Sequence, residues 1–257
     1  MPYYSVDGRE LYFEQKGQGF PVVLLHGYLG DSKTHFGKQF KDSSLSDNYT
    51  IVAPDFRGFG NSQLNQFKNW GEKHTSEQLL IDIEKLIDEL KYDSLFIGGY
   101  SNGAALALEY GKKFPNQVKG IILISPRPFL IKNGKSYPFL SKTSRNSSNI
   151  VKKFLSNTTW GILKRYYKRK SLKDIEKKVQ NKELIQSFSL IKDIPVFMVY
   201  ANKDSVTPKL AFEVLEQYIP HIEVEVFEGD HGVLHEQADK FNRVLKEFLD
   251  RTNKKIN

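Results

Sequence analysis

Short apolar segments alternate along this chain with segments of helical periodicity, and this alternation constrains the fold more than any other feature. Strands buried on both faces of a parallel sheet contain nearly continuous runs of Val, Ile and Leu, because helices cover both faces. Strands that alternate with helices predict a doubly wound, mostly parallel α/β sheet. Six segments are predicted as strands of this sheet: 22–25, 50–54, 95–100, 120–125, 196–201 and 222–227.

The amino-terminal segments 3–6 and 11–15 alternate polar and apolar residues instead. They flank Asp7-Gly8, a dipeptide that favours the tight turn of an antiparallel hairpin. With this hairpin, the predicted sheet has about eight strands.

Two helices are predicted from apolar stripes at helical spacing, one over 79–90 and one over 241–249. The first stripe follows Thr75-x-x-Gln78, which has the form of a capping box and marks the start of a helix.

The composition excludes several classes of site. The chain of 257 residues contains no cysteine, which rules out a disulfide scaffold, an iron–sulfur site, a zinc–thiolate site and a cysteine nucleophile. The first residues lack the apolar region of a signal peptide. No apolar run approaches the ~18 residues of a membrane span, so we expect a cytoplasmic protein without a membrane-spanning segment.

The net charge of +8 is concentrated in one part of the chain. Residues 126–187 contain 16 Lys or Arg against three acids, whereas the rest has five more acids than bases. We therefore expect 1–125 and 188–257 to form the core and 126–187 to be a basic, mostly helical insertion. The basic run 164–170 resembles a nucleic-acid patch, but on a helix such a run is more often a solvated face, so no nucleic-acid partner is predicted.

The sequence Gly99-Tyr100-Ser101-Asn102-Gly103 is a G-x-S-x-G motif between a predicted buried strand and a predicted helix. In this context the motif forms a sharp strand-to-helix turn that projects the serine hydroxyl, with small residues on both sides to avoid collision. Ser101 is therefore the candidate nucleophile.

A serine nucleophile needs a general base and an acid that orients the base. His231 follows the last predicted strand and Asp204 follows the strand at 196–201, so both are expected at the carboxyl edge of the sheet. The order Ser101, Asp204, His231 is the order expected for this class of hydrolase. Asp230 is an alternative acid, but as the neighbour of His231 its side chain is expected to point away from the base.

Two backbone N–H groups are needed to stabilise the oxyanion. We expect one from Asn102, after the nucleophile, and one from Tyr28, in the loop after the first buried strand. His26 in the same loop is predicted to hold the loop rather than to take part in catalysis.

The other histidines lack a motif. His35, His74 and His221 are predicted to lie on the surface. His231 and His235 have the i, i+4 spacing of a metal pair, but no H-E-x-x-H accompanies them. We therefore predict no metal and no cofactor.

Four motifs together resemble those of serine members of the α/β-hydrolase superfamily, and more closely those of the biphenyl-hydrolase-like, or valacyclovirase-type, hydrolases. They are HGYLGDSKTHFGKQF (26–40), PDFRGFGNS (54–62), GYSNG (99–103) and EGDHGVLHEQADKFN (228–242). Haloalkane dehalogenases and epoxide hydrolases of the superfamily have aspartate in place of Ser101. The resemblance implies an α/β-hydrolase fold and a carboxylic-ester hydrolase that works through an acyl-enzyme on small esters.

The resemblance covers 20–125 and 192–250 but not the insertion. The family has aspartate where this chain has Asn102, and a neutral amide cannot pair with an ammonium group, so a preference for aminoacyl esters is not carried over. In this superfamily such an insertion resembles a lid over the nucleophile, and its positive charge suggests anionic esters, unless its lysines form only a solvated exterior. Its apolar pocket lining would come from Phe129, Phe139, Phe154, Trp160 and Phe188.

Two other functions remain open from the sequence. The same triad serves lyases and C–C bond hydrolases, and a hydrolase fold can act as a ligand-binding receptor. The sequence predicts neither the physiological substrate nor the oligomeric state.

Overall fold

In the computed structural model, the described residues are 2–28, 30–62, 75–129 and 157–254, with the backbone alone for 157–164 and 167. Within these ranges the chain forms one eight-stranded sheet. The strands are β1 (Tyr3–Val6), β2 (Arg9–Lys16), β3 (Phe20–Leu25), β4 (Tyr49–Pro54), β5 (Leu95–Tyr100), β6 (Val118–Ile124), β7 (Val196–Ala201) and β8 (Glu223–Phe227). The helices are α1 (Ser32–Lys41), α2 (Ser43–Ser46), α3 (Ser76–Glu89), α4 (Asn102–Lys113), α5 (Asn157–Lys178), α6 (Lys182–Gln186), α7 (Leu210–Tyr218), α8 (Val233–Glu236) and α9 (Ala238–Lys254), with a 3-10 helix at Ser187–Ile191.

The strand order is β1-β2-β4-β3-β5-β6-β7-β8. Strands β3 to β8 run parallel to one another, whereas β2 pairs antiparallel with both β1 and β4. The predicted mostly parallel sheet of about eight strands is confirmed. Because β3, β5, β6 and β7 are adjacent and parallel, their carboxyl ends meet at one edge, where the loops with the candidate site residues begin.

The predicted amino-terminal hairpin is also confirmed. Asp7 and Gly8 connect β1 and β2 with backbone φ angles of 52° and 72°. A two-residue turn with positive φ at both positions matches the twist of the flanking strands, and Asp-Gly tolerates this conformation.

The sheet is covered on both faces, which explains the continuous apolar runs. Along β3, Val23 and Leu25 belong to a hydrophobic cluster with α3 and α4, whereas Val22 and Leu24 belong to a second cluster with α1 and α9. Successive side chains of a strand point to opposite faces. A strand between two helical layers therefore needs an apolar residue at every position.

A buried ion pair connects the loop after β4 to α3. Arg57 and Asp82 are each 1% exposed, and the Arg57 guanidinium donates two hydrogen bonds to the Asp82 carboxylate. Burial raises the pKa of Asp82 even though the Arg57 charge opposes the shift. Helix α3 begins close by, at the predicted cap, where the Thr75 hydroxyl accepts from the Gln78 N–H at 3.2 Å.

The basic insertion is described only in part. Its described portion contains α5 and α6, whereas 130–156 lies outside the described residues. The boundaries predicted for the insertion and the core thus stay predictions. Phe129 and Phe188 lie in the hydrophobic core with ring centroids 6.0 Å apart. Phe139, Phe154 and the Trp160 side chain are not among the described groups.

Candidate active site

Ser101 occupies a strained turn between β5 and α4. Its backbone has φ 55° and ψ −109°, a conformation that costs a non-glycine residue on the order of 1–3 kcal/mol unless its surroundings fix it. The Ser101 N–H donates to the Ile124 carbonyl at 2.8 Å, and its carbonyl accepts from the N–H groups of Ala104 and Arg127 at 3.2 and 3.3 Å. These bonds hold the turn between β5 and the end of β6.

The two glycines of the motif are needed because backbone approaches closely on both sides of Ser101. A Cβ at Gly99 would lie 2.2 Å from the Gly103 backbone, and a Cβ at Gly103 would lie 2.0 Å from the Leu25 carbonyl oxygen. Neither position has room for a side chain. The G-x-S-x-G pattern is thus a packing requirement of this turn.

Asp204 and His231 form a hydrogen-bonded pair. The His231 Nδ1 lies 2.8 Å from Asp204 Oδ2, and the Asp204 side chain is only 2% exposed. The other carboxylate oxygen, Oδ1, accepts from the N–H groups of Val206 and Thr207 at 2.8 and 2.7 Å. The Asp204 carboxylate is therefore fixed by the loop after β7, and it fixes the His231 ring in turn.

Asp230, the alternative acid, binds backbone and hydroxyl groups. Its carboxylate accepts from the N–H and hydroxyl of Ser205 at 2.7 and 2.8 Å and from the N–H of His231 at 2.7 Å. Asp230 thus links the loop after β7 to the loop after β8. It positions the two members of the Asp204–His231 pair relative to each other.

The backbone of His231 is anchored next to Ser101. The hydroxyls of Tyr100 and Ser125 both donate to the His231 carbonyl, at 3.2 and 3.0 Å. The rings of Tyr100 and His231 also pack together, with centroids 5.1 Å apart. These contacts join His231 to Tyr100, the residue directly before the candidate nucleophile. Burial, followed by nearby carboxylates such as Asp204, raises the pKa of Tyr100, so its hydroxyl stays a donor.

The two predicted oxyanion donors lie in adjoining elements. Asn102 is the first residue of α4, where backbone N–H groups have no helical acceptor and the helix dipole favours negative charge. Gly103 packs against Leu25, so the start of α4 touches the end of β3, from which the Tyr28 loop departs.

His26 holds this loop from inside, as predicted. Its ring is fully buried, and its Nε2 accepts from the Phe56 N–H at 2.9 Å. Its Nδ1 therefore has the proton and donates to the Gly27 carbonyl at 2.7 Å. Burial lowers the pKa of His26, so the ring is neutral in this role.

The prediction that His35 lies on the surface is wrong. His35 is 8% exposed and packs between Tyr100 and His235, at ring-centroid distances of 4.9 and 5.6 Å. Its Nδ1 accepts from the Gly27 N–H at 3.3 Å. The reason is that His35 lies on the face of α1 that packs over the end of β5.

Two histidines remain, and only His221 is among the described residues. His221 is exposed, with its Nε2 2.8 Å from the Ile194 carbonyl oxygen, and His74 is not among the described residues. Within the described parts of the chain, no three His, Cys, Asp or Glu side chains group as a metal site requires. No helix of the described residues has the length and apolar character of a membrane span.

The sequence did not reveal two cations beside the site. Lys168 of α5 donates from its Nζ to the Asp204 carbonyl at 2.5 Å, although the run 164–170 was interpreted as a solvated face. Arg127 is 9% exposed, and its N–H donates to the Ser101 carbonyl. Both contacts depend on the packing of the segment after β6, for which the sequence has no local signal.

The comparisons with known proteins agree with this architecture. Residues 21–159 match the model of the family described as alpha/beta hydrolase fold. The human serine hydrolase BPHL is 24% identical to this chain, over 95% of this chain and 84% of that protein. A cis-3-alkyl-4-alkyloxetan-2-one decarboxylase from Shewanella oneidensis is 21% identical, over 97% and 88% of the two chains.

Solved structures with the same fold include an enol-lactonase from Burkholderia xenovorans, with a TM-score of 0.73, 20% identity and coverage of 97% of this chain and 100% of that one. A thermophilic esterase from Thermogutta terrifontis has a TM-score of 0.69 and 19% identity, over 98% and 97% of the two chains. The family match covers more than half of the chain, and the sheet order and the strand-to-helix turn agree with it. The chain belongs to the α/β-hydrolase family.

Proposed function

We propose that this protein is a serine hydrolase that cleaves small carboxylic esters, with Ser101 as nucleophile, His231 as general base and Asp204 as the orienting acid. The observation that carries the proposal is the 2.8 Å hydrogen bond between His231 Nδ1 and Asp204 Oδ2. Because Nδ1 donates to the carboxylate, Nε2 has the lone pair and can accept a proton from a serine hydroxyl. The backbone of His231 is anchored on Tyr100, the residue before Ser101.

The reaction would proceed in two halves. Ser101 Oγ attacks the acyl carbon while His231 Nε2 takes its proton, and the Asp204 carboxylate stabilises the imidazolium that forms. The N–H groups of Tyr28 and Asn102 bind the oxyanion. His231 then protonates the leaving alcohol. In the second half His231 activates a water, which releases the acid from Ser101. The scheme uses no metal and no cofactor.

The relatives support ester hydrolysis but differ in activity. Two structural neighbours are an esterase and an enol-lactonase. Another neighbour is a meta-cleavage product hydrolase, and one relative by sequence is a decarboxylase. Chemistry in this family depends on what surrounds the triad, so a lyase or C–C bond hydrolase with the same triad is the alternative.

We also propose that residues 126–187 form a lid over the core made of 1–125 and 188–257. The support is the contact between Lys168 of α5 and the Asp204 carbonyl, which places this helix against the loop of the candidate acid. A lid of this kind would shape the substrate pocket and exclude water during acyl transfer.

Labelling with a fluorophosphonate tests the proposed nucleophile, because this reagent forms a covalent bond with an activated serine. We expect one label per chain in the wild type and none in Ser101→Ala. Ser5→Ala, which removes an exposed hydroxyl on β1, is the matched control and should label like the wild type. A folded wild type that takes up no label would contradict the proposal and favour a receptor.

Ester turnover separates hydrolysis from the alternative. With a short-chain p-nitrophenyl ester we expect a burst of one p-nitrophenol per chain, followed by slower turnover as the acyl-enzyme hydrolyses. A wild type that is labelled by fluorophosphonate but hydrolyses no ester of a broad panel would favour a lyase or C–C bond hydrolase.

A further inference from the structure

We infer that Arg127 binds a carboxylate group of the substrate, so that the preferred esters are singly charged anions. The inference rests on the proposed ester hydrolysis at Ser101. Arg127 is the third residue after β6, and its N–H donates to the Ser101 carbonyl at 3.3 Å. This places the backbone of Arg127 one hydrogen bond away from the candidate nucleophile.

Arg127 is largely buried but has no ion-pair partner among the described residues. The residue is only 9% exposed, yet among the described residues its guanidinium has no carboxylate within ion-pair distance and no side-chain hydrogen bond. Arg57, the other buried arginine of the described ranges, pairs with Asp82 through two of its guanidinium nitrogens. A charged side chain that is largely buried is stabilised by a counter-ion. An anionic ligand would supply the missing partner.

The acids of the site are engaged elsewhere. The two Asp204 oxygens bind the His231 ring and the N–H groups that follow Asp204, and the Asp230 oxygens bind Ser205 and the His231 N–H. Among the described ion pairs, Asp204 pairs with His231, and neither carboxylate pairs with Arg127.

A second cation, Lys168, lies beside the loop of the candidate acid. The described bond of the Lys168 Nζ goes to the Asp204 carbonyl, a neutral acceptor, so its charge adds to that of Arg127. Two cations beside a partly buried site attract anions and repel ammonium groups.

The chemistry of the guanidinium selects the ligand. Its planar fork matches the two oxygens of a carboxylate in a bidentate pair. One guanidinium balances one negative charge, which suits a carboxylate better than a phosphate with a charge of about −1.5 to −2. Since Arg127 bonds to the backbone of Ser101 itself, the carboxylate is expected within a few bonds of the ester carbonyl.

The test compares two esters of equal length, mono-p-nitrophenyl glutarate and p-nitrophenyl pentanoate. We expect the wild type to have a higher kcat/KM for the glutarate ester, and Arg127→Gln to reduce the glutarate-to-pentanoate ratio by about tenfold or more. Arg127→Lys keeps the charge but loses the fork, so its ratio should be intermediate. Arg243→Gln, at an exposed arginine of α9, is the matched control and should keep the wild-type ratio.

The outcomes separate this inference from the proposed hydrolysis. A wild type that hydrolyses both esters with equal kcat/KM, or an Arg127→Gln variant with the wild-type ratio, overturns the role of Arg127 and leaves the serine hydrolase proposal in place. If Arg127→Gln does not fold, the glutarate-to-pentanoate ratios of the wild type and of Arg127→Lys test the role of Arg127 instead.

If neither ester is hydrolysed, the proposed hydrolysis itself is contradicted. A binding measurement then tests the role of Arg127. Calorimetry with free glutarate should then show binding to the wild type and an affinity about tenfold or more lower for Arg127→Lys or Arg127→Gln. No binding of glutarate to the wild type, or equal binding to all variants, overturns the inference.

Discussion

Replacing Asp204 by Asn tests the proposed triad most sharply, because the substitution keeps the shape of the side chain and reverses one hydrogen bond. In the structure Asp204 Oδ2 accepts from His231 Nδ1, and Oδ1 accepts from the N–H groups of Val206 and Thr207. An Asn side chain can keep Oδ1 as the acceptor of the two backbone bonds. Its Nδ2 then faces the His231 ring and donates to Nδ1.

The expected loss follows from the tautomer. With Nδ1 as acceptor, the proton of the neutral imidazole moves to Nε2, and His231 can no longer take the proton of the Ser101 hydroxyl. A wrong tautomer of this kind lowers kcat by about 10⁴ in an equivalent triad, which corresponds to roughly 5.5 kcal/mol of activation free energy. The fold should change little, because both backbone bonds remain. We expect a loss of about 1 kcal/mol, or roughly 2–4 °C in Tm for a chain of this size.

The assay is kcat with a short-chain p-nitrophenyl ester, together with Tm of the same samples. Asp230→Asn is the matched comparison, since Asp230 binds Ser205 and the His231 N–H rather than the ring. We expect its kcat to fall by less than about tenfold, the range of a positioning contact worth about 1 kcal/mol. A kcat of Asp204→Asn within about tenfold of the wild type would refute the role of Asp204, and a larger loss in Asp230→Asn would assign that role to Asp230.

Three further predictions concern stability. Gly103→Ala places a Cβ 2.0 Å from the Leu25 carbonyl oxygen and should lower the free energy of unfolding in urea by about 3 kcal/mol or more; a near-wild-type value would contradict the packing of this turn. Asp82→Asn removes the carboxylate charge that pairs with the buried Arg57 guanidinium and should cost about 3–5 kcal/mol in the same assay, so a loss below about 1 kcal/mol would contradict the pairing. Because burial lowers the pKa of His26, the unfolded chain binds a proton that the folded chain does not as the pH falls below about 6.5, and stability should decrease by up to about 1.4 kcal/mol per pH unit. Urea unfolding between about pH 7.5 and 5.5 measures this slope, and an equal slope in His26→Gln would exclude His26 as its source.

Much of the fold was predictable because the two-layer covering of the sheet imposes a local signature. Every position of β4 and β5 is buried, so the apolar runs of these strands were visible without knowledge of their neighbours. The same holds for the turn at Ser101, where the nearby backbone excludes a side chain at Gly99 and Gly103. Local steric requirements restrict which residues can stand at a position, and these restrictions predicted both the sheet and the position of the candidate nucleophile.

The burial of His35 could have been predicted from the same kind of signal. On α1 the buried residues Ser32, His35, Phe36, Gln39 and Phe40 repeat at helical spacing. The prediction of a surface position considered the missing motif around His35 and not its place on the helix. Position on an amphipathic face, rather than residue type, determined whether this imidazole was exposed.

The charge of the segment after β6 shows where prediction from the sequence ends. Arg165, Arg169 and Lys170 are exposed, as a solvated face requires, whereas Lys168 of the same helix contacts the Asp204 carbonyl. All four residues are cations of one helix, and they differ only in the face of the helix on which they lie. A count of charges therefore predicts an average potential, whereas the selection of an anionic substrate would depend on the one or two cations beside the candidate triad. If Arg127 is one of them, its removal should abolish the preference for an anionic ester, and removal of the exposed cations of α5 should change only the dependence of that preference on salt, because exposed charges act at distances that salt screens.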